Sequence, residues 1–494
     1  MTDVTITKKN EVYIKLECEP HVLYELEPHF TFDVEGAKFM PHMRNKYWDG
    51  KIRLLSTHTG EVYAGLLDRV VAKLKTYNYD YNFKENKYYG LPFEVNEEIC
   101  PEGVAEYMKS ICSHDPYDYQ INGVYECLRY NRKLILSPTA SGKSLMIYSI
   151  IRYYVAKGKR ILIVFPTTSL VRQMFNDFKD YGWNADEYCH LIYSGREKHT
   201  DMPVTLSTWQ SLYTLPKSYF ENYDCVIVDE AHTAKSKSLI DIMKKCHNAK
   251  YRFGFTGTLS GSSTHEWVVC GLFGPSYKTI GTSEMIEKGR ASQLDIFCLL
   301  LKHKPHKFET YEDEIQFIIK NDKRNKFIKN LSLSLKGNTL ILFSRVETHG
   351  EVLFNLINNS KEGNRKIFFV HGGVDAEERE AIRQITEKEN NAIIVASYGV
   401  FSTGISIKRL HNIIFASPSK SRIRNLQSIG RVLRKGKNKD TATLYDIADD
   451  TTYNSKKNYT LNHFIERIKI YVEEDFNYEI IPINIEKEKS IDGR

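Results

Sequence analysis

Two short stretches of this chain carry residue types that could act on a phosphate. The first is Ser137-Pro138-Thr139-Ala140-Ser141-Gly142-Lys143-Ser144. It fits the pattern G-x-x-x-x-G-K-[ST] except at its first position, where Ser137 replaces glycine. Such a loop points backbone N–H groups at phosphate oxygens, with a helix N-terminus behind them. Gly142 would supply the close approach, and Pro138, Thr139, Ala140 and Ser141 the rest of the cradle. Lys143 would neutralise the β- and γ-phosphates, and the Ser144 hydroxyl would take one magnesium position. The second stretch is Asp229-Glu230-Ala231-His232, which begins 86 residues after Lys143. Asp229 is placed to hold magnesium through water, and Glu230 to orient and deprotonate an attacking water. Phosphoryl transfer depends mostly on positioning and charge neutralisation, so one acid for each task suffices. The chemistry implied is hydrolysis of a nucleoside triphosphate on magnesium.

A third group lies far downstream. Gln427, Gly430, Arg431 and Arg434 follow Arg424. If the segment is helical, positions 427, 431 and 434 share one face, at spacings of four and three. An amide and two guanidiniums on one face could meet a γ-phosphate, because the arginine fork spreads over several oxygens. From Lys420 to Asp440 there are eight Lys or Arg residues against one acid. A solvated basic helix and a polyanion-binding face both fit that run.

These residues need elements to hold them. Asp229 closes the apolar run 225–228, which reads as a buried parallel strand, and open α/β sheets bind ligands at such strand ends. Residues 134–136 read as the strand before the phosphate loop and 145–155 as the helix after it. Further strands are expected at 161–165, 204–207 and 252–255. Strands alternating with helices mean a parallel sheet of βαβ units. A second such series runs through 339–343, 366–370, 392–396, 412–416 and 443–446. The charged stretch 281–330 reads as a helical connection between the two. Two tandem sheets with one phosphate loop imply a nucleotide site between domains. The tail from 456 reads as one amphipathic helix, 461–472, and a short extended end.

Residues 1–113 read as a separate small domain, with strands at 12–16 and 52–55 and a helix at 67–74. Tyr77, Tyr79, Tyr81 and Phe83 alternate at period two, so they would share one face of a strand. With Lys75, Lys84 and Lys87 beside them they form either a half-buried strand with a solvated edge or a surface on which bases stack. Asp68 with Glu85 and Lys87 fits a nuclease pattern only loosely.

The chain has 494 residues, enough for about three domains. Its apolar runs are far shorter than the roughly 20 residues of a membrane span. Its first residues lack the apolar stretch of a signal peptide, so a soluble protein of the cytoplasm is expected, not secreted and with no membrane partner. Nine cysteines occur without a C-x-x-C pair, which fits a reducing compartment and no structural zinc. Cys225 and Cys270 sit in apolar company. The net charge of +7 permits a polyanionic partner without requiring one.

In this order the motifs resemble those of the superfamily 2 helicases of DEAH type, over roughly residues 115–450. The resemblance implies two tandem RecA-like parallel-sheet domains, with ATP and Mg2+ as cofactors. Beside them stands a small α+β N-terminal domain. It divides the chain into 1–113 (accessory, DNA-binding), 114–325 (ATP-binding, with the connecting segment), 326–455 (C-terminal helicase domain) and 456–494 (helical tail). By the same match Gln120 reads adenine, and His232 links the acid pair to the motif Thr256-Gly257-Thr258, which couples hydrolysis to domain motion. Lys143, Glu230, Gln427, Arg431 and Arg434 take the catalytic roles, with the two arginines as finger candidates. Gly404, in the run Ser397 to Gly404, joins the nucleotide contacts. Nucleic-acid contacts fall on Thr168, Arg172, Thr208, Trp209, Ser344, Arg345, Ser402 and Thr403.

A narrower likeness lies with the recombination and repair helicases of T-even-type phages. It rests on Arg44 to Leu55, Pro138 to Ser144 and Ala396 to Ser406, and it includes the N-terminal domain. Ala231 stands where that branch also carries cysteine, an exchange that changes no ligand. The likeness implies an ATP-dependent 3′ to 5′ translocase remodelling branched DNA: forks, Holliday junctions, D-loops and R-loops. Single-stranded DNA and RNA–DNA hybrid are further expected substrates, and a single-strand-binding or recombination protein an expected partner. Two readings compete. An RNA helicase of DEAH type would carry large domains after Arg434, where 60 residues follow here. A DNA-annealing or branch-binding protein would use ATP only as a switch.

Overall fold

The computed structural model describes residues 2–34, 37–193, 195–234, 237–259, 263–361, 363–403, 407, 409–434 and 439–486. They divide into two compact units. The first holds 1–137 and 142–279, the second 280–494 together with the loop 138–141.

The first unit is built on a seven-stranded, all-parallel sheet. Its order is Ser276–Lys278, Arg132–Leu136, Tyr251–Thr256, Cys225–Asp229, Ile161–Phe165, Val204–Thr208, Cys189–Ile192. The central strands are apolar throughout because helices cover both faces, as βαβ crossovers require. Ile161–Phe165 and Cys225–Asp229 are buried at every position. The expected strands at 134–136, 161–165, 204–207, 225–228 and 252–255 are all present. The edge strands Cys189–Ile192 and Ser276–Lys278 were not anticipated.

A small α+β layer precedes this sheet. Its four strands run in the order Glu61–Tyr63, Tyr13–Cys18, Val4–Lys8, Tyr81–Lys84, backed by the helix Leu67–Thr76. It shares an apolar core with the parallel sheet, since Val4, Ile14, Leu66 and Val70 belong to the same buried cluster as Val226, Val228 and Phe273. The aromatic alternation at 77–83 does not form one strand. Asn78 takes a left-handed conformation (φ 58°), so residues before Tyr81 turn away, and only Tyr81–Lys84 pairs. Tyr79 then donates to Glu25 Oε2 at 2.7 Å, and Tyr81 packs on Phe83 with ring centres 5.7 Å apart.

The second unit carries a second seven-stranded parallel sheet, in the order Ile367–Val370, Ile393–Ser397, Thr339–Phe343, Asn412–Phe415, Thr441–Asp450, Gln293–Lys302, Tyr478–Asn484. Two of these strands correct the sequence reading. The stretch 281–330 is more than a helical connection, because Gln293–Lys302 pairs over ten residues with Thr441–Asp450. The tail does not simply trail off after its helix, Tyr459–Glu473. Tyr478–Asn484 adds the edge strand alongside Gln293–Lys302. No helix among the described residues is long and apolar enough to cross a membrane.

Candidate functional site

The strand Arg132–Leu136 delivers the chain into residues 137–144, and the helix Lys143–Ala156 leaves from them. Gly142 is the cap of that helix at φ +78°, a conformation glycine adopts without strain. A Cβ there would lie 2.2 Å from Gln120 Nε2, so only glycine lets the two approach. Gln120 is buried, and its Oε1 accepts from the Tyr117 N–H at 2.9 Å. The structure thus brings Gln120 to the loop, as its place before the loop suggested. Ala140 is also left-handed, at φ 70°. Ser141 Oγ donates to the Pro138 carbonyl at 2.6 Å, and Lys143 Nζ to the Ser137 carbonyl at 3.0 Å. Thr139 and Ser144 are half-buried.

Ser137, the departure from the glycine pattern, has a physical reason. It is fully buried, its N–H donates to the Thr256 carbonyl at 2.9 Å, and its Oγ accepts from Thr279 Oγ1 at 2.8 Å. Thr279 therefore helps to seat the loop. Sequence reasoning missed it, since the two residues are 142 apart and Thr279 belongs to no recognisable pattern.

Asp229 ends its strand beside Phe255 and is 7% exposed. Burial pushes its carboxyl up to about 7, the neighbouring Glu230 adds to the rise, and Lys143 opposes it. Glu230 stands at φ 55°, which turns its side chain out of the strand direction. The turn is pinned by Thr233, whose Oγ1 donates to the Glu230 carbonyl at 2.8 Å. His232 Nδ1 lies 3.2 Å from Glu230 Oε2 and 2.9 Å from Thr256 Oγ1. The Thr256 hydroxyl in turn donates to the Thr258 carbonyl at 2.9 Å. A chain of contacts therefore runs from Glu230 through His232 to the end of the next strand.

The remaining expected residues sit as follows. Thr168 opens the helix Thr168–Asp180. Arg172 is exposed on it, with Nε 3.3 Å from Tyr193 Oη and its guanidinium 5.2 Å from that ring. Thr208 is buried and its hydroxyl meets Ser211 Oγ at 3.0 Å, so it faces inward, while Trp209 is half-buried. In the second unit Ser344 is exposed just past the strand Thr339–Phe343, and Arg345 pairs with Glu312. Gln427 and Arg431 lie on the helix Arg422–Val432, with Arg431 5.5 Å from the Phe401 ring. Arg434 lies two residues beyond that helix, which ends before the full 427–431–434 face is complete. The side chains of Ser402 and Thr403, and Gly404 as a whole, fall outside the described residues.

Residues 3–85 match the family described as DNA helicase UvsW, N-terminal. Residues 113–261 match the type III restriction enzyme res subunit, and 322–436 the helicase conserved C-terminal domain. The ATP-dependent DNA helicase uvsW of Enterobacteria phage T4 is 34% identical over 98% of this chain and all of its own length. The chain belongs to the UvsW family of DNA helicases. The crystal structure of T4 UvsW is similar along 98% of this chain and 100% of that one, at 31% identity and a TM-score of 0.51. A fragment of a putative HsdR subunit of a type I restriction enzyme from Vibrio vulnificus shares the fold, at 17% identity and a TM-score of 0.57 over 79% of this chain and 72% of that one. As a UvsW-family member the chain is an ATP-dependent enzyme that acts on DNA, and its two parallel sheets are the two RecA-like domains of a helicase.

Proposed function

We propose that this protein hydrolyses ATP on the first RecA-like domain and uses the cycle to unwind or remodel branched DNA. Forks, Holliday junctions, D-loops and R-loops are the proposed substrates, in recombination, repair and replication in the host cytoplasm. The observation that carries the reading is the Glu230–His232–Thr256 chain, which joins a carboxylate beside the phosphate loop to the end of the adjacent strand. Its members move together only if a change at Glu230 is felt at Thr256, which is the coupling a motor requires.

Mg2+ fits the residues present. Asp229 is a buried carboxyl on which burial and Glu230 outweigh Lys143 and His232, and a divalent cation reverses that balance. Ser144 and Asp229 would hold the ion, which when bound neutralises charge on the phosphate oxygens. Glu230 accepts the proton of the attacking water. Residues 138–143 bind the phosphates, Gln120 the adenine, and His232 orients Glu230. Gln427, Arg431 and Arg434 act on the γ-phosphate, where a well-placed arginine contributes about 10³- to 10⁵-fold. Gly404 completes the nucleotide contacts.

Thr168, Arg172, Trp209, Ser344, Arg345, Ser402 and Thr403 grip the sugar-phosphate backbone, which positions the strand without reading its sequence. Thr208 acts beneath them, since its hydroxyl is engaged by Ser211. Residues 1–113 serve accessory DNA binding, the first motor domain ends at 279 and the second begins at 280, so the boundaries expected at 325 and 455 give way to a second domain that takes in the strands Gln293–Lys302 and Tyr478–Asn484. A single-strand-binding or recombination protein is the proposed partner.

The decisive measurement is ATP hydrolysis on single-stranded, duplex, forked and four-way DNA, and on an RNA–DNA hybrid. Branched DNA is expected to stimulate most, with affinity falling steeply as salt rises. Lys143→Ala should abolish the stimulated rate. Full DNA-stimulated hydrolysis in Lys143→Ala, or a rate indifferent to every nucleic acid, would sink the reading.

A further inference from the structure

The helix Tyr459–Glu473 buries Leu461, Phe464, Ile470 and Tyr471. Apolar contact would seat it, yet the helix also inserts an arginine into the core. Arg467 is 1% exposed. Its Nε donates to Asp446 Oδ2 at 2.8 Å, and its Nη2 lies 2.8 Å from Asp446 Oδ1. The Tyr471 hydroxyl donates to Asp446 Oδ2, also at 2.8 Å. A buried ion pair seldom outdoes an apolar replacement in net stability, and its best-attested use is to fix one arrangement.

Two further contacts say what is fixed. Arg467 Nη1 donates to the Ser419 carbonyl at 3.2 Å, and Asn425 Nδ2 reaches the same carbonyl at 3.3 Å. Ser419 lies in the lead-in to the helix Arg422–Val432, which carries Gln427 and Arg431. The first residue of that helix is held as well. Arg422 Nη2 donates to Glu474 Oε1 at 2.7 Å, and its Nη1 pairs with Glu473. Glu474 reaches further still. Its Oε2 accepts from Thr282 Oγ1 at 3.4 Å, and its carbonyl accepts from the Ser283 hydroxyl. Thr282 and Ser283 lie at the start of the second unit, which opens at Ile280. One helix therefore holds the lead-in and first turn of another, and ties both to the segment where the chain enters the unit.

We propose that the helix Tyr459–Glu473 is a strut for the helix Arg422–Val432, with Arg467 and Glu474 as positioning residues that set where Gln427 and Arg431 stand during hydrolysis. The inference rests on the hydrolysis reading above. It gives the helix Tyr459–Glu473 a catalytic consequence that acts through the helix Arg422–Val432. Small misplacements suffice for this, since about 1 Å of error at a reacting group can lower a rate by roughly 10²-fold.

The test uses the full chain with forked DNA. Glu474→Gln and Arg422→Gln are made singly and together, with Arg467→Lys, which keeps a charge but loses the fork that spans Asp446 and Ser419. Each Gln variant is expected to lower kcat about tenfold, inside the roughly 10²-fold reach of such misplacement, with KM for ATP within about twofold. Tm should move by no more than about 2 °C, because partly exposed pairs add little stability. The double variant should be no worse than the poorer single one, as for two ends of one contact. Arg467→Lys should repeat the fall in kcat, and if it fails to fold, Glu474→Gln decides alone. An unchanged kcat in Glu474→Gln, or effects that multiply in the double variant, would overturn the strut. Should the wild type itself prove inactive, the hydrolysis reading falls instead. The strut is then judged by amide hydrogen exchange across 422–432, which Glu474→Gln must accelerate, and unaltered protection there would end it.

Discussion

Asp229 and Asp449 are the same residue type, both buried near the ends of parallel strands, one in each unit. Their carboxyls move in opposite directions. Burial pushes Asp229 up to about 7, with Glu230 adding to the rise against the weaker pull of Lys143, the Glu230 N–H and His232. Burial would push Asp449 up as well, but Arg324 and His303 outweigh it and hold the carboxyl down at about 2. Arg324 Nε lies 2.8 Å from Asp449 Oδ1, and His303 Nε2 lies 2.8 Å from the same oxygen. The second unit brings its own countercharges into the fold. The first gives its buried carboxyl less countercharge, and in the proposed function that carboxyl holds the magnesium. On that proposal one buried acid serves the fold and the other serves chemistry.

The largest expected effect sharpens the chemical side of that contrast. Glu230→Gln should lower DNA-stimulated turnover about 10³-fold, within the roughly 10²- to 10⁴-fold span of a lost general base. Its side chain is partly exposed, so Tm should hardly change. Steady-state hydrolysis beside a thermal melt checks both halves. A variant that lost its fold along with its rate would put Glu230 on the structural side and break the comparison.

Next comes the structural side. Asp449→Ala leaves the guanidinium of Arg324, itself fully buried, without its carboxylate. Uncompensated buried charge costs about 3–5 kcal/mol, which urea unfolding would register as a lower midpoint. ATP affinity measured well below that midpoint should stay near wild type. A midpoint unchanged by the substitution would show that the Arg324–Asp449 pair carries no weight in the fold.

How far the sequence foretold these two sites differs for physical reasons. Asp229 was readable because it closes a run of apolar residues and follows a phosphate loop at a telling distance. Asp449 was not, because a buried acid is recognised only through its partners, and Arg324 is 125 residues away. The same holds for Arg467, which alone looks like one more solvent-facing charge on an amphipathic helix. Strands follow the same rule. Runs such as Ile161–Phe165 announce themselves by being apolar throughout. Gln293–Lys302 interleaves Gln293 and Asp295 with its buried residues, and so resembled the charged helices around it. The aromatic run at 77–83 misled in the other direction, since its alternation is interrupted by the left-handed turn at Asn78.

A milder prediction titrates the structural acid. Asp449 has a folded pKa near 2, below the unfolded value of roughly 3.9. A depressed carboxyl contributes stability that is present above the unfolded pKa and lost as pH falls through the folded one. Between about pH 5 and pH 1 the wild type should therefore lose roughly 2–3 kcal/mol from this group. Asp449→Asn should flatten that part of the acid limb, and urea midpoints taken at intervals of pH would show it. An equally steep limb in the variant would mean that other carboxylates set the acid response.

The smallest effect is the most discriminating, because it runs against the usual direction of mutation. If Asp229 is a carboxylate kept short of countercharge until a cation arrives, removing its charge should relieve the ligand-free fold. Asp229→Asn preserves size and shape and can still accept the Glu230 N–H bond that Asp229 Oδ1 now takes at 3.0 Å. The ligand-free variant at pH 8 should unfold at a slightly higher temperature, by about 1 kcal/mol of added stability, as function-bearing strain is given up. Added Mg2+ with a non-hydrolysable ATP analogue should reverse the order, because ligand binding stabilises only the protein that binds it. The matching change at the other acid, Asp449→Asn, should destabilise with or without ligand. Two Asp→Asn substitutions that shifted the ligand-free melt in the same direction would erase the distinction between an acid held for chemistry and an acid held for the fold.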